Sequence, residues 1–490
     1  MSSNVATGIP ATIHKPALTV PGATPDSKAL VESLLEKDRE AAHCLYGPGY
    51  HNHLSHHLLT AYDLGASSAL LQAIYDKENT ALSSVFAADV KRNVVERQEV
   101  KIQEDNWKEY LGQDKYYANL LIFFSEKVQE IGGHAAFEQY VYSRTADGAF
   151  MVERLVAGAL HPWIQMGFAI EFGSDAMVAQ ALAQTAIHTP LNPELFAWNL
   201  ASESNSPADL LHANSSSLLD VLQETYASPT MKPVMPYDPN ALIGQRGKDM
   251  LTPARIVEIR RLTALWGCSA AALTPAATAE KARDLIFVAT LLFAGTGKRG
   301  RAPRLDFFLM HVLTSALFVP HLLDALRSDE AKARLLNSYL VSLLVIVMIR
   351  GRPRIDAGLL MSYTATPVPP SQRSPAKAST TSTSAAFGTP TGPGYANTWV
   401  GLLPHILPAC DAHTLKAFRT LYVAAQRYGQ LPRGSLSGEG VQDVDGSVFA
   451  RVAGVLLDVM GWVGPGEGQD EGTWDRSALG WDAAWDEQDK

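Results

Sequence analysis

Three imidazoles within five residues are where this chain most plainly offers chemistry. They lie in the run His51-Asn52-His53-Leu54-Ser55-His56-His57-Leu58-Leu59, which leads into a helical pattern ending near Gly65. Residues three and four apart share one face of a helix, so His53, His56 and His57 could approach one ion. Neutral imidazole suits zinc, copper, iron and nickel. The plainer alternative is a set of hydrogen-bonded or solvated histidines. No HExxH pair is present, which excludes the common zinc-protease arrangement.

Other histidines stand in apolar runs: His161 before Pro162, His188 at the end of a helical segment, and His311 inside Phe307 to Leu317. A buried ring needs a partner, either an ordinary hydrogen bond or a ligand. His413 precedes Lys416 by three residues, which puts both on one helical face. A lysine ammonium has no lone pair and is ordinarily no ligand. Glu171 and Asp306 could orient ligating rings from behind. The Gly295-Thr296-Gly297-Lys298-Arg299-Gly300 run matches GxGxxG, but a basic stretch and Pro303 follow where a phosphate-binding helix should begin. No GxSxG or P-loop sequence supports a serine hydrolase or a phosphoryl-transfer enzyme.

The elements that must position these residues read as helices from Asp26 onward, with little strand-like alternation. Thr252-Pro253 opens a segment through Trp266, and Ser174-Asp175 opens one running to His188. Gly65, Gly173 and Gly267 sit where helices should stop. The expectation is an all-α, multi-helix single body with a flexible Ser/Pro-rich insertion. Its parts are a flexible N-terminus (1–25), a first helical part (26–363), the insertion (364–397), a second helical part (398–465) and an acidic, Trp-containing tail (466–490) that packs on the body. The apolar run Leu335 to Ile349, bounded by Arg334 and Arg350, reads as a buried core helix too short to span a bilayer.

Of 490 residues, 47% are hydrophobic and 19% charged, a globular composition, and the net charge of −9 argues against a general nucleic-acid binder. Three widely spaced cysteines without a CxxC pair fit a reducing compartment, and the Ser/Thr/Pro-rich start does not read as a secretory signal. A cytoplasmic protein with no membrane role is expected.

Taken together, the motifs resemble the fungal questin oxidase-like proteins, which open anthraquinone rings in polyketide pigment and toxin biosynthesis. The likeness spans most of the ordered chain. It rests on His51-Asn52-His53 with His56-His57-Leu58-Leu59 and Leu64-Gly65-Ala66, on His161-Pro162 with Glu171-Phe172, on Arg304-Leu305-Asp306-Phe307-Phe308-Leu309-Met310-His311, and on His413 with Lys416 and Arg419. Gln165 departs from the pattern, which leads one to expect a histidine there.

The resemblance implies an oxidoreductase. Family members are described as NADPH-using Baeyer–Villiger oxygenases, while the nearest likeness is to a non-haem iron dioxygenase that cleaves an anthraquinone. It implies Fe(II) held by four histidines and a CO2-carboxylated lysine: His57, His161, His311, His413 and Lys416. His53, His56 and His188 are substitutes with a catalytic role. The expected partners are O2 and an aromatic polyketide of the anthraquinone type. Two rival readings are an NADPH-dependent Baeyer–Villiger monooxygenase, whose sequence support is the GTGKRG run, and a non-catalytic helical scaffold for a biosynthetic pathway.

Overall fold

The computed structural model describes residues 5, 8–14, 18, 20–47, 49–143, 146–199, 216–233, 236–369, 397–464 and 474–486. Among them are nineteen α-helices and two small two-stranded sheets, so the all-α expectation holds. Local signals account for many boundaries. Thr252 and Pro253 start the Pro253–Leu265 helix, and Ser174 precedes the Asp175–Ile187 helix, which His188 ends. Gly65, Gly173 and Gly267 each take a left-handed φ of +87°, +64° and +65° just past a helix, a conformation without steric penalty only for glycine.

One continuous apolar core runs through the molecule, from Val5 and Ile9 through the central helices to Met460 and Trp474. The Asp329–Ile349 helix lies at its centre. Ser328 caps it by accepting from the Ala331 amide, so the helix starts before Arg334 and reaches 21 residues, longer than the apolar run suggested. By length and composition it could cross a membrane, yet most of it is buried in the body, as a core helix should be.

The N-terminal segment differs from the expected flexible lead. Val5, Ile9, Ala11 and Ile13 are buried, and the Ala11 and Ile13 amides donate to Glu36 and Glu32 at 2.9 Å. Alternate apolar residues let it pack as an extended strap, a pattern that its Ser/Thr/Pro content masks. The Ser/Pro-rich insertion lies outside the described residues over 370–396. The GTGKRG run follows the Pro275–Ala294 helix and not a strand. Lys298 and Arg299 pair with Asp482 and Asp356, so it does not form the strand-to-helix turn of a dinucleotide site.

Four helices converge on one region: Leu54–Asp63, His161–Glu171, Phe307–Ala316 and Ala412–Tyr428. Buried ion pairs lock them. The Arg419 guanidinium donates to Asp63 at 2.6 Å and to both oxygens of Glu171 at 2.7 and 3.0 Å. This triad ties three of the four helices together. The fourth is fixed at its start by Asp306, which accepts from the Phe308 and Leu309 amides and pairs with buried Arg350 at 2.8 Å.

Candidate metal centre

Asn52 organises the histidine-rich motif. Its amide donates to Asp38 at 2.8 Å, and its carbonyl oxygen accepts from the Leu54 amide at 2.8 Å, which starts the Leu54–Asp63 helix. His53 therefore stands at the helix cap with φ −107° and ψ 0°, outside the helical geometry assumed from spacing. His53, His56 and His57 consequently do not face one ion. The His56 Nε2 meets Gln165 Oε1 at 2.8 Å, and the His57 Nδ1 meets Glu78 at 2.8 Å on another side.

The convergence is built across helices instead. His53 Nε2 lies 3.0 Å from His161 Nε2, and His311 Nε2 lies 3.3 Å from the same atom. One ligand atom each from His53, His161 and His413 fits within 4.8 Å. Nitrogen ligands about 2.1 Å from an ion stand roughly 3.0–3.4 Å apart, so the His53–His161 and His161–His311 spacings match a shared ion, while the group whose atoms all lie within 4.8 Å of one another is His53, His161 and His413.

Three of the rings are oriented by their other nitrogen. His161 Nδ1 bonds Gly158 O at 2.6 Å, His311 Nδ1 bonds Phe307 O at 2.7 Å, and His413 Nδ1 bonds Asp411 Oδ1 at 2.9 Å. Each bond points Nε2 toward the cluster with its lone pair available. The turn that presents His161 is strained: Gly158, Ala159 and Leu160 all take φ between 54° and 67°. Gly158 also has no room for a side chain, since a Cβ would come 2.6 Å from His188 and 3.2 Å from His51.

Burial pushes His53, His56, His161 and His311 well below the ordinary imidazole range, and neighbouring positive charges add to it. His413 is lowered mainly by burial and then by Lys416, with Asp411 opposing. The rings are therefore neutral, the state that ligates. Burial lowers Lys416 to about 8. Among the described residues, Lys416 Nζ and His413 Nε2 are buried without a hydrogen-bond partner, as are His56 Nδ1 and His57 Nε2. Orphaned donors and acceptors of this kind are expensive unless something else fills the site. The donor set of four neutral imidazoles beside a neutralisable amine fits a first-row transition metal.

The remaining candidates are placed as follows. His188 Nε2 meets His51 Nε2 at 2.9 Å, and His51 stacks on His161 with centroids 3.8 Å apart. Glu171 and Asp306 touch no ring of the cluster; they fix the helices that carry the rings. The carboxylate that does touch one is Asp411, which sequence reasoning missed. Its signal was the Asp-x-His spacing at a helix start, where Asp411 also accepts from Thr414.

A family model described as questin oxidase-like matches residues 50–421. A Baeyer–Villiger oxidase of Pestalotiopsis microspora is 26% identical over 69% of this chain and 74% of its own length. A questin oxidase of Aspergillus terreus is 26% identical over 62% and 65%, and a Baeyer–Villiger monooxygenase of Cryptosporiopsis is 28% identical over 71% and 76%. The chain thus spans between about two thirds and three quarters of these relatives. With the family match covering every residue of the histidine cluster, the chain belongs to the questin oxidase-like family.

Proposed function

We propose that this protein is a non-haem iron oxygenase that opens an anthraquinone-type ring, with His53, His161, His311 and His413 as nitrogen ligands and Lys416 beside them. The observation that carries this reading is the meeting of four neutral imidazoles from four separate elements, with His413 Nε2 and Lys416 Nζ buried and unpartnered and Lys416 close enough to lower the pKa of all four rings. His53 takes the place first given to His57, because it is His53 whose Nε2 lies 3.0 Å from His161 Nε2 and within 4.8 Å of a His413 nitrogen. Names of relatives support the substrate class and the oxidation: a questin oxidase and Baeyer–Villiger oxidases.

Bound at this centre, ferrous iron would supply the activation of O2. The protein's own residues do the rest. The Nδ1 bonds of His161, His311 and His413 hold the rings in place before any ligand arrives, which avoids reorganisation during turnover. Phe307 packs edge-on to His311 and His413 at 4.7 and 4.9 Å and, with half-buried Phe308, offers an aromatic wall to a planar substrate. His53 and His413 are only partly buried, which makes theirs the side of approach.

Lys416 can become an oxygen donor. Its neutral amine, made accessible by the lowered pKa, adds to CO2 as a nitrogen–carbon bond forms, and one N–H proton is released. The resulting carbamate is anionic and presents two oxygens that could ligate the metal. Protein purified under air-free conditions should hold about one iron per chain and consume O2 with an anthraquinone substrate. Iron-free protein that retains full turnover would overturn the reading. The relatives' names favour a second reading, a Baeyer–Villiger monooxygenase, and if NADPH is its reductant, stoichiometric NADPH oxidation during turnover would select it.

A further inference from the structure

The region behind His413 is completed by a segment far away in sequence. Trp474 is 8% exposed, and its indole Nε1 donates to Asp411 Oδ2 at 2.7 Å. The other oxygen of that carboxylate accepts from His413 Nδ1 at 2.9 Å. The next residue, Asp475, pairs its backbone with the start of the Phe307–Ala316 helix: the Phe307 amide donates to Asp475 O at 2.8 Å, and the Asp475 amide donates to Leu305 O at 2.9 Å. Arg304 donates to the Asp475 side chain at 2.9 Å and to Ser477 at 3.1 Å. Arg476 then lies 4.0 Å above the Phe307 ring. A strap of four residues thus joins the N-terminal ends of the two helices that carry His311 and His413. It lies beyond residues 50–421, the part that the family model matches.

We propose that residues 474–477 are part of the candidate metal centre and that Trp474 is a positioning residue, holding Asp411 so that it fixes the ring of His413. The proposal rests on the metal reading given above. Asp411 accepts from several donors, and among the described residues Trp474 is the one that reaches it from outside its own helix. Oδ1 also accepts from the His413 amide at 3.1 Å, and Oδ2 from the Thr414 hydroxyl and amide at 2.8 and 3.1 Å; without the indole N–H, Oδ2 is held by Thr414 alone and the carboxylate plane is drawn toward it. His413 then loses the bond that orients Nε2. Loss of such an outer hydrogen bond typically weakens metal binding by about ten- to a hundredfold.

The test uses cobalt(II) as the probe with the full chain, following its visible absorption and its affinity against a competing chelator. Trp474→Phe keeps the ring and removes the N–H. It should weaken cobalt affinity about tenfold and alter the absorption bands while leaving the melting temperature nearly unchanged. Phe293 packs on the other side of Trp474, with ring centroids 6.2 Å apart. Phe293→Leu should lower the melting temperature and leave affinity alone. Equal affinity in Trp474→Phe and the parent, or an equal loss in Phe293→Leu, overturns the proposal. If Trp474→Phe does not fold, hydrogen exchange of the unsubstituted protein decides. Coupling is reciprocal, so cobalt should slow exchange at the Phe307 and Asp475 amides, and unchanged exchange there overturns the proposal. Should the unsubstituted protein bind no cobalt at all, the metal reading itself falls, an outcome distinct from the others.

Discussion

His57 and His53 are four residues apart and chemically identical, yet their surroundings assign them different work. The His57 ring is held by Glu78, whereas His53 Nε2 faces His161 at 3.0 Å. Each ligand in a shared site contributes a bond that the others cannot replace in geometry. Alanine at His53, His161, His311 or His413 should therefore give folded protein that loses most of its iron, while His57→Gln should retain it; metal analysis of the five variants checks this. Lys416 carries a second expectation. Intact-protein mass should show one CO2 added to active enzyme, and Lys416→Ala should lose both iron and activity. An unmodified amine in fully active protein would remove the carbamate from the mechanism.

At the scale of elements, precision at the centre depends on helices that are fixed by buried charge. Arg419, Asp63 and Glu171 are fully buried, and Arg419 is held charged by both carboxylates even though burial opposes it. Removing one partner of a buried ion network leaves uncompensated charge, at a cost of about 3–5 kcal/mol. Glu171→Ala should lower unfolding stability by that amount in urea titrations, and it should weaken iron binding although Glu171 touches no cluster ring. A loss under about 1 kcal/mol would show that this pairing contributes little more than an exposed ion pair does. The strained turn Gly158-Ala159-Leu160 belongs to the same scale. It carries a backbone cost that the bond from His161 to Gly158 O helps to offset.

Over the whole molecule, buried titratable groups make stability depend on pH in opposite senses. Burial raises Asp38 to about 7, so the folded protein keeps a proton that the unfolded chain releases near 3.8. That contribution is present at low pH and is lost as pH rises through 7. Burial lowers His43 to about 4, so its contribution is lost as pH falls from 6.5 toward 4. Between pH 5 and pH 8 the Asp38 contribution changes by about 3 kcal/mol by linkage. Relative to the parent, Asp38→Asn should gain roughly that much stability on going from pH 5 to pH 8, as read from urea midpoints at both values. An unchanged difference would mean that Asp38 is ionised in the folded state.

Helix content, helix starts such as Thr252-Pro253, stops such as Gly173, and the identity of the histidines were legible because they depend on neighbours in the chain. The alternation that buries Ile9, Ala11 and Ile13 was present too, hidden under a composition that usually accompanies loops. What the chain order could not show was which histidines meet. His53 and His161 are 108 residues apart, and their contact follows from how the Arg419 triad clamps three helices. Spacing placed His57 with His53 because it assumed regular helix at His53, which instead stands at the cap behind the Asn52 turn. Nor could local pattern link Trp474 to Asp411 across 63 positions. Side-chain direction at a helix end, and pairing between distant segments, are decided only when the whole core packs, since each is fixed by groups that the sequence keeps far apart.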